Sequence, residues 1–301
     1  MGNPSRILIT GAAGVLGRLV TKLLGTSGRY ELRLTDVCAV ETPHPFVRAD
    51  LSRPEETRGL CEDVDQVLHI AGIHPWKQYA PEQYLDCNVK GTHNVVREAA
   101  KAGVRRLIYT SSIGAMGYEP GPDCPLPFDE TKPCRPVEDV YNVSKLVGEQ
   151  FCQMYRYTDG LEYLALRLGC FIPCDEESPE FGLGLLSGRL HWEDAAQAHV
   201  LALQSDVVNE AIIITATVPF TRQDGPALVG DAPAVILRYF PEARTLEEQG
   251  VELPKQITRC YRIGKAQRLL HFQPRVTFET WLDHRLHRPG TDDDEREPSH
   301  V

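Results

Sequence analysis

The chain has 301 residues, 42% of them apolar and 25% charged, enough for one large α/β core with or without a small appendage. A formal net charge of −10 argues against nucleic-acid binding by phosphate neutralisation, although Asp292, Asp293, Asp294, Glu295 and Glu297 concentrate part of it in the tail. No apolar run is long enough to cross a bilayer, no secretory layout opens the chain, and nine scattered cysteines form no Cys-x-x-Cys pair; a cytoplasmic protein with free thiols, no membrane contact and no metal is expected.

The apolar run Ile7-Leu8-Ile9 is followed at once by Gly11, Gly14 and Gly17, and then by Leu19, Val20, Leu23 and Leu24. A buried strand, a tight turn and an amphipathic helix read this way. Gly11 permits a turn that a Cβ would strain, Gly14 lets the backbone close on a diphosphate, and Gly17 lets the helix pack near the strand. With Ala13, Val15 and Leu16 they form a predicted phosphate-binding turn, whose free N–H groups attract anionic oxygens. The next strand, residues 30–35, ends on Asp36, nineteen residues after Gly17. A carboxylate there accepts hydrogen bonds from both adenosine ribose hydroxyls and repels a 2′-phosphate, so NAD rather than NADP is expected. The plainer alternative is a βαβ unit that holds no ligand.

Strand and helix then alternate, which implies a parallel sheet covered on both faces. Strands are expected at 46–51, 66–71, 105–112, 162–168 and 211–217, with helices at 54–60, 81–102, 140–157, 193–204, 225–239 and 264–270. Residues 118–136 hold six prolines without periodicity and read as a loop lying over something, and Gly182, Gly184 and Gly188 read as a flexible loop. The expected organisation is a dinucleotide-binding domain over 1–169, a mainly substrate-binding lobe over 170–287 and a disordered tail over 288–301.

Tyr141 and Lys145, four apart at a helix start, share one face of the helix. An isolated tyrosine titrates near pH ~10, too high for a base at neutral pH. A neighbouring ammonium and an oxidised nicotinamide would lower that value, and the same Lys145 could bind the nicotinamide ribose. Ser112, at the end of its strand and so at the carboxyl edge of the sheet, is the candidate to hydrogen-bond the reacting oxygen, with Ser111 second.

Together these features resemble the extended short-chain dehydrogenase/reductases of the NAD-dependent epimerase/dehydratase family. The resemblance is carried by Thr10-Gly-Ala-Ala-Gly-Val-Leu-Gly17, Asp36, Asp50-Leu51, His69-Ile-Ala-Gly72 and Asn88-Val-Lys-Gly-Thr92. It continues through Thr110-Ser-Ser112, Tyr141-x-x-x-Lys145, Arg167 and His191-Trp-Glu-Asp-Ala195. It implies a Rossmann fold, a doubly wound parallel sheet with a smaller C-terminal lobe. Asp50 and Leu51 would lie beside the adenine, Ala71 and Gly72 beside the dinucleotide, and Ser112, Tyr141 and Lys145 would form the catalytic set. Asn88 and His191 would brace rather than react, and a homodimer through the helices at 81–102 and 140–157 is implied.

Members acting on nucleotide sugars usually carry Asn three residues after the arginine matched by Arg167; here that residue is Cys170. Only twenty-three residues separate Arg167 from His191, and they include Asp175, Glu176 and Glu177, acids expected to repel a diphosphate. The short layout is similar to the uronate dehydrogenase branch, yet the arginine that branch places on the substrate carboxylate has no clear match, Arg189 being the nearest. His74, Trp76, Met116, Tyr118 and Phe171 are further pocket candidates. The expected function is NAD-dependent hydride transfer at a secondary alcohol or ketone of a small sugar-like molecule. The alternatives are a nucleotide-sugar epimerase and a catalytically silent NAD sensor.

Overall fold

A computed structural model describes residues 4–119 and 125–287. Seven strands, β1 (Ser5–Thr10), β2 (Tyr30–Asp36), β3 (Phe46–Arg48), β4 (Gln66–His69), β5 (Arg106–Ser112), β6 (Glu162–Leu168) and β7 (Glu210–Ile214), form one sheet in the order β3-β2-β1-β4-β5-β6-β7. Every pairing is parallel. From β1 the chain runs outward to β3, then returns to the other side of β1 and continues through β4 to β7. This reversal opens a crevice beyond the carboxyl ends of β1 and β4.

Side chains alternate across the sheet into two apolar layers. Ile7, Ile9, Leu68, Ile108 and Leu164 enter one, while Leu8, Val67, Leu107, Tyr109 and Ala165 enter the other. Because helices cover both faces, the central strands read as continuous apolar runs rather than alternating ones.

Residues after 169 divide between the sheet and what lies over its carboxyl edge. The helix Trp192–Gln204 packs on the first helix, Val15–Gly25, and β7 completes the sheet beside β6. The helices Gly225–Gly230, Ala232–Tyr239, Arg244–Glu248, Gly264–Leu270 and Phe278–Leu286 follow. The expected tail at 288–301 lies outside the described residues, as do 120–124 of the proline-rich loop. What that loop lies over is the C-terminal segment: Phe128 N donates to Cys260 O and Arg262 N to Phe128 O, both at 2.8 Å.

Several elements differ from expectation. The helix expected at 81–102 carries a wide π-type turn at Leu85–Gly91 between the α-helical stretches Pro81–Tyr84 and Thr92–Lys101. The helix expected at 225–239 breaks at Asp231, whose Oδ1 accepts from Ala234 N at 3.3 Å and starts a second helix. The flexible loop expected around Gly182, Gly184 and Gly188 is a helix, Pro179–Gly184, followed by a 3-10 turn at Leu185–Ser187. Ser178 Oγ caps that helix by accepting from Phe181 N at 3.2 Å. Its glycine is there for contact rather than flexibility: a Cβ on Gly182 would lie 2.2 Å from the Trp281 ring. Among the described residues, no helix is long and apolar enough to cross a membrane, and no group of three His, Cys, Asp or Glu side chains could hold a metal ion.

Candidate active site

Two adjoining cavities lie over the carboxyl edge of the sheet. The first, about 400 Å³, is lined by Gly11, Ala13, Gly14, Val15, Leu16, Gly17, Asp36, Asp50, Leu51, Ala71 and Gly72, the expected dinucleotide set. Its floor depends on missing side chains. Gly11 has φ +72°, and a Cβ there would stand 2.7 Å from Ala71 N; a Cβ on Gly17 would stand 2.1 Å from Gly11 O. The helix Val15–Gly25 starts at Gly14 with no side-chain cap and no acid in its first turn, so its leading N–H groups face the cleft uncompeted. Asp36 stands at the end of β2, where Oδ2 accepts from Ala13 N and Oδ1 from Cys38 N, both at 2.9 Å. These bonds aim the carboxylate along the cleft wall and leave it lone pairs for a ribose. The residues present therefore fit a dinucleotide.

A buried histidine ties this floor together. Ala71 N donates to Thr10 Oγ1 at 3.1 Å, and His69 bridges Thr10 Oγ1 and Thr92 Oγ1 through Nδ1 at 2.8 Å and Nε2 at 3.0 Å, one ring nitrogen donating and the other accepting. Burial, with Lys145 adding to it, pushes His69 down to about 3, so the ring stays neutral.

The second cavity, about 330 Å³, brings Ser112, Tyr141 and Lys145 together with His74, Ser111, Cys170 and Arg189. It shares Leu16, Ile70, Gly72, Ile73, His74 and Phe171 with the first. The helix Val140–Asp159, capped by Asp139 Oδ1 on Asn142 N at 2.7 Å, carries Tyr141 and Lys145 on its buried face. Lys145 Nζ donates to Thr110 O at 2.9 Å and lies 5.4 Å and 5.8 Å from the centres of the Tyr109 and Tyr141 rings. Thr110 is held in turn: His199 Nδ1–H donates to Ala195 O at 2.8 Å, which leaves Nε2 to accept from Thr110 Oγ1 at 2.8 Å.

Burial is the largest influence on both groups of the Tyr/Lys pair. It pushes the Lys145 ammonium down to about 8 and the Tyr141 phenol above its ordinary value. The hydrogen bond from Ser112 works against the rise, whereas Lys145, expected to lower the value, is not among the main influences on it, its Nζ standing 5.8 Å from the ring centre. Ser112 Oγ accepts from Gly114 N at 3.1 Å, which leaves its proton available to donate. Ser111 is differently placed, since its Oγ donates at 2.6 Å to the buried Glu149, itself paired with Arg167 through bonds of 2.8 Å and 2.9 Å. Cys170 lies in the pocket wall, its backbone bridged to Arg189.

Some expectations change on inspection. Met116 is core rather than pocket, fully buried with its carbonyl accepting from Lys132 Nζ at 2.7 Å. Trp76 lines the dinucleotide cleft instead of the substrate cavity. Asp175, Glu176 and Glu177 line neither cavity, so their charge does not meet a ligand at the wall; Glu176 Oε1 pairs with His191 Nε2 at 3.1 Å. Asn88 braces as expected, exchanging bonds of 2.8 Å and 3.0 Å with the Ile73 backbone and donating to Ser144 Oγ at 3.1 Å. Sequence reasoning missed Asp139, Asn142 and Arg259, which also line the substrate cavity. For Asp139 and Asn142 the signal was their place beside Tyr141. Arg259 carried none, because only the pairing of Phe128 with residues 260–262 brings it there.

A glycine-floored dinucleotide cleft that opens onto a Ser/Tyr/Lys pocket defines a Rossmann-type oxidoreductase site. The model of the NAD dependent epimerase/dehydratase family matches residues 7–172, and the chain belongs to that family. It is similar to the uronate dehydrogenase of Pseudomonas putida, 30% identical over 218 residues that cover 71% of this chain and 76% of that one. With the uronate dehydrogenase of Agrobacterium fabrum it shares 32% identity over 176 residues, 56% of this chain and 62% of the relative. Among solved structures, a short-chain dehydrogenase/reductase superfamily protein from Agrobacterium tumefaciens with bound NAD has the same fold. Its TM-score is 0.68 at 22% identity, covering 93% of this chain and 95% of that one. The chain is an enzyme of the NAD-dependent dehydrogenase/epimerase class, and NAD is its cofactor.

Proposed function

We propose that this enzyme is a dehydrogenase that oxidises a ring hydroxyl of a free sugar acid, releasing a ketone or lactone. The observation that carries the reading is the meeting of Ser112, Tyr141 and Lys145 in a cavity of about 330 Å³, a size suited to one sugar ring. Likeness to the uronate dehydrogenases supports the substrate class. Bound NAD supplies the hydride acceptor and, oxidised, a positive ring. In this reading Ser112 donates to the reacting oxygen, and Tyr141, as the phenolate that the charges of Lys145 and an oxidised nicotinamide would stabilise, takes the hydroxyl proton at Oη while the hydride passes from the carbinol carbon to NAD and the carbonyl forms. Lys145 sets the pocket's potential and reaches toward the ribose. Gly11 to Gly17 seat the diphosphate, Asp36 takes the adenosine ribose, Asp50 and Leu51 flank the adenine, and Ala71 and Gly72 back the dinucleotide.

Two further features belong to this reading. Leu85, Val143, Met154 and Tyr157, on the helices at 81–101 and 140–159, are 51%, 42%, 43% and 92% exposed, and a homodimer would cover this apolar face. Cytoplasmic residence suits the free thiols among the described cysteines.

The test is NADH formation with glucuronate, galacturonate, glucose, galactose, UDP-glucose and UDP-glucuronate. Net NADH from the free acids is expected. Interconversion of UDP-sugars without net NADH would make the enzyme an epimerase instead, and NAD binding with turnover of none would make it a sensor.

A further inference from the structure

The substrate cavity differs in charge from the chain around it. Its formally charged wall residues are Lys145, Arg189, Arg259 and a single acid, Asp139, in a protein whose net charge is −10. Three cations against one acid in a recess focus a positive potential on whatever enters. Lys145 is engaged with Thr110 O. The two arginines remain to receive an anionic group.

They are not equivalent. Arg189 is tied into its own loop: Nη1 donates to Ile172 O at 3.3 Å and to Cys174 Sγ at 3.2 Å, and its guanidinium lies 5.6 Å from the Phe181 ring centre. Its stem runs against Gly184, where a Cβ would lie 2.8 Å from Arg189 Nε. Arg259 is exposed, and its guanidinium carbon lies 4.7 Å from the Tyr118 ring centre. Among the described residues it makes no hydrogen bond and no ion pair. Tyr118 is steadied by its own hydroxyl, which donates to Asn142 Oδ1 at 3.4 Å, one residue from Tyr141. Stacking on an aromatic ring holds a guanidinium plane while leaving its edge N–H groups free, the geometry that receives a carboxylate in two parallel bonds. A second polar group without a partner faces the same region: His74 Nδ1 is buried and unbonded, in a ring 4.8 Å from that of Tyr141.

We propose that Arg259, seated on Tyr118, is the anchor that takes the substrate's carboxylate and makes the enzyme select sugar acids over neutral sugars. The assignment rests on the free-sugar-acid reading above and adds the residue that enforces it. Arg189 then shapes the loop that bounds the pocket.

The experiment is steady-state kinetics of the full chain with saturating NAD, comparing glucuronate with glucose and galacturonate with galactose. For Arg259→Met the ratio of kcat/KM for the acid to that for the matching neutral sugar is expected to fall about tenfold to a hundredfold, through KM, as loss of one charge-assisted pair implies. Arg259→Lys should recover part of the ratio, since charge returns without the planar fork. The wild-type KM for the acid should rise with salt more steeply than that for the neutral sugar. An unchanged ratio in Arg259→Met, with Arg189→Met collapsing it instead, would overturn the assignment while leaving the function intact. A wild-type enzyme that turns over none of the free acids would fail at the first step and overturn the functional reading itself.

Discussion

Lys145 is the residue on which chemistry and stability oppose each other. Its folded value of about 8 lies below the 10.5 of an ordinary lysine because burial disfavours the ammonium. The unfolded chain therefore binds the proton more tightly, and the stability cost is complete below pH 8 and fades as pH climbs toward 10.5. Lys145→Met is expected to abolish turnover yet unfold at higher urea concentration at pH 7, by up to roughly 3 kcal/mol. A variant no more stable than the parent would mean that Thr110 O and the two rings fully compensate the charge. Tyr141→Phe tests the proposed base. It keeps the ring against His74, so NAD affinity should hold while kcat falls by about 10²- to 10⁴-fold.

At the scale of elements, the helix Pro179–Gly184, whose last residue lines the substrate cavity, is held by one close contact. Trp281 of the last described helix lies on the Gly182 backbone, and its Nε1 donates to Glu176 O at 2.8 Å. Gly182→Ala puts a methyl into that ring and is expected to cost about 1–3 kcal/mol by overpacking. Because the same helix carries Phe181 beneath Arg189, the KM for the sugar should rise as well. Urea midpoints and KM measured on the variant check both. The first glycine turn makes the parallel case for the cofactor: Gly17→Ala drives a Cβ into Gly11 O, so NAD binding followed by fluorescence should weaken together with thermal stability.

Across the whole molecule, two buried neutral histidines make the fold sensitive to acid. His69 joins β1 and β4 to the helix at Thr92, and His199 joins β5 to the helix Trp192–Gln204; their values are pushed down by burial to about 3 and about 4. As pH falls below 6.5 the unfolded chain gains protons that the folded one refuses. Each ring then removes up to about 1.4 kcal/mol of stability per pH unit. Unfolding free energies between pH 6.5 and 4.5 should fall accordingly, and His199→Gln should flatten the slope by one ring's share. Sedimentation of the full chain checks the proposed dimer, which Tyr157→Glu and Met154→Glu together should dissociate.

The order of strands and helices, the glycine turn, Asp36 and the Tyr/Lys spacing were all legible in the amino-acid sequence. Each is a local pattern, set by backbone conformation or by neighbours three or four residues apart. Those rules reach about one helical turn. They misread Gly182 as flexible, since its meaning lies in a tryptophan 99 residues later, and could not see that Asp175, Glu176 and Glu177 stay out of the pocket wall. Tertiary structure alone decided which of the two serines keeps a free hydroxyl proton, because Glu149 reaches Ser111 from another element. It also decided that Arg259 stands over Tyr118, since the pairing of Phe128 with residues 260–262 joins stretches that no sequence periodicity connects.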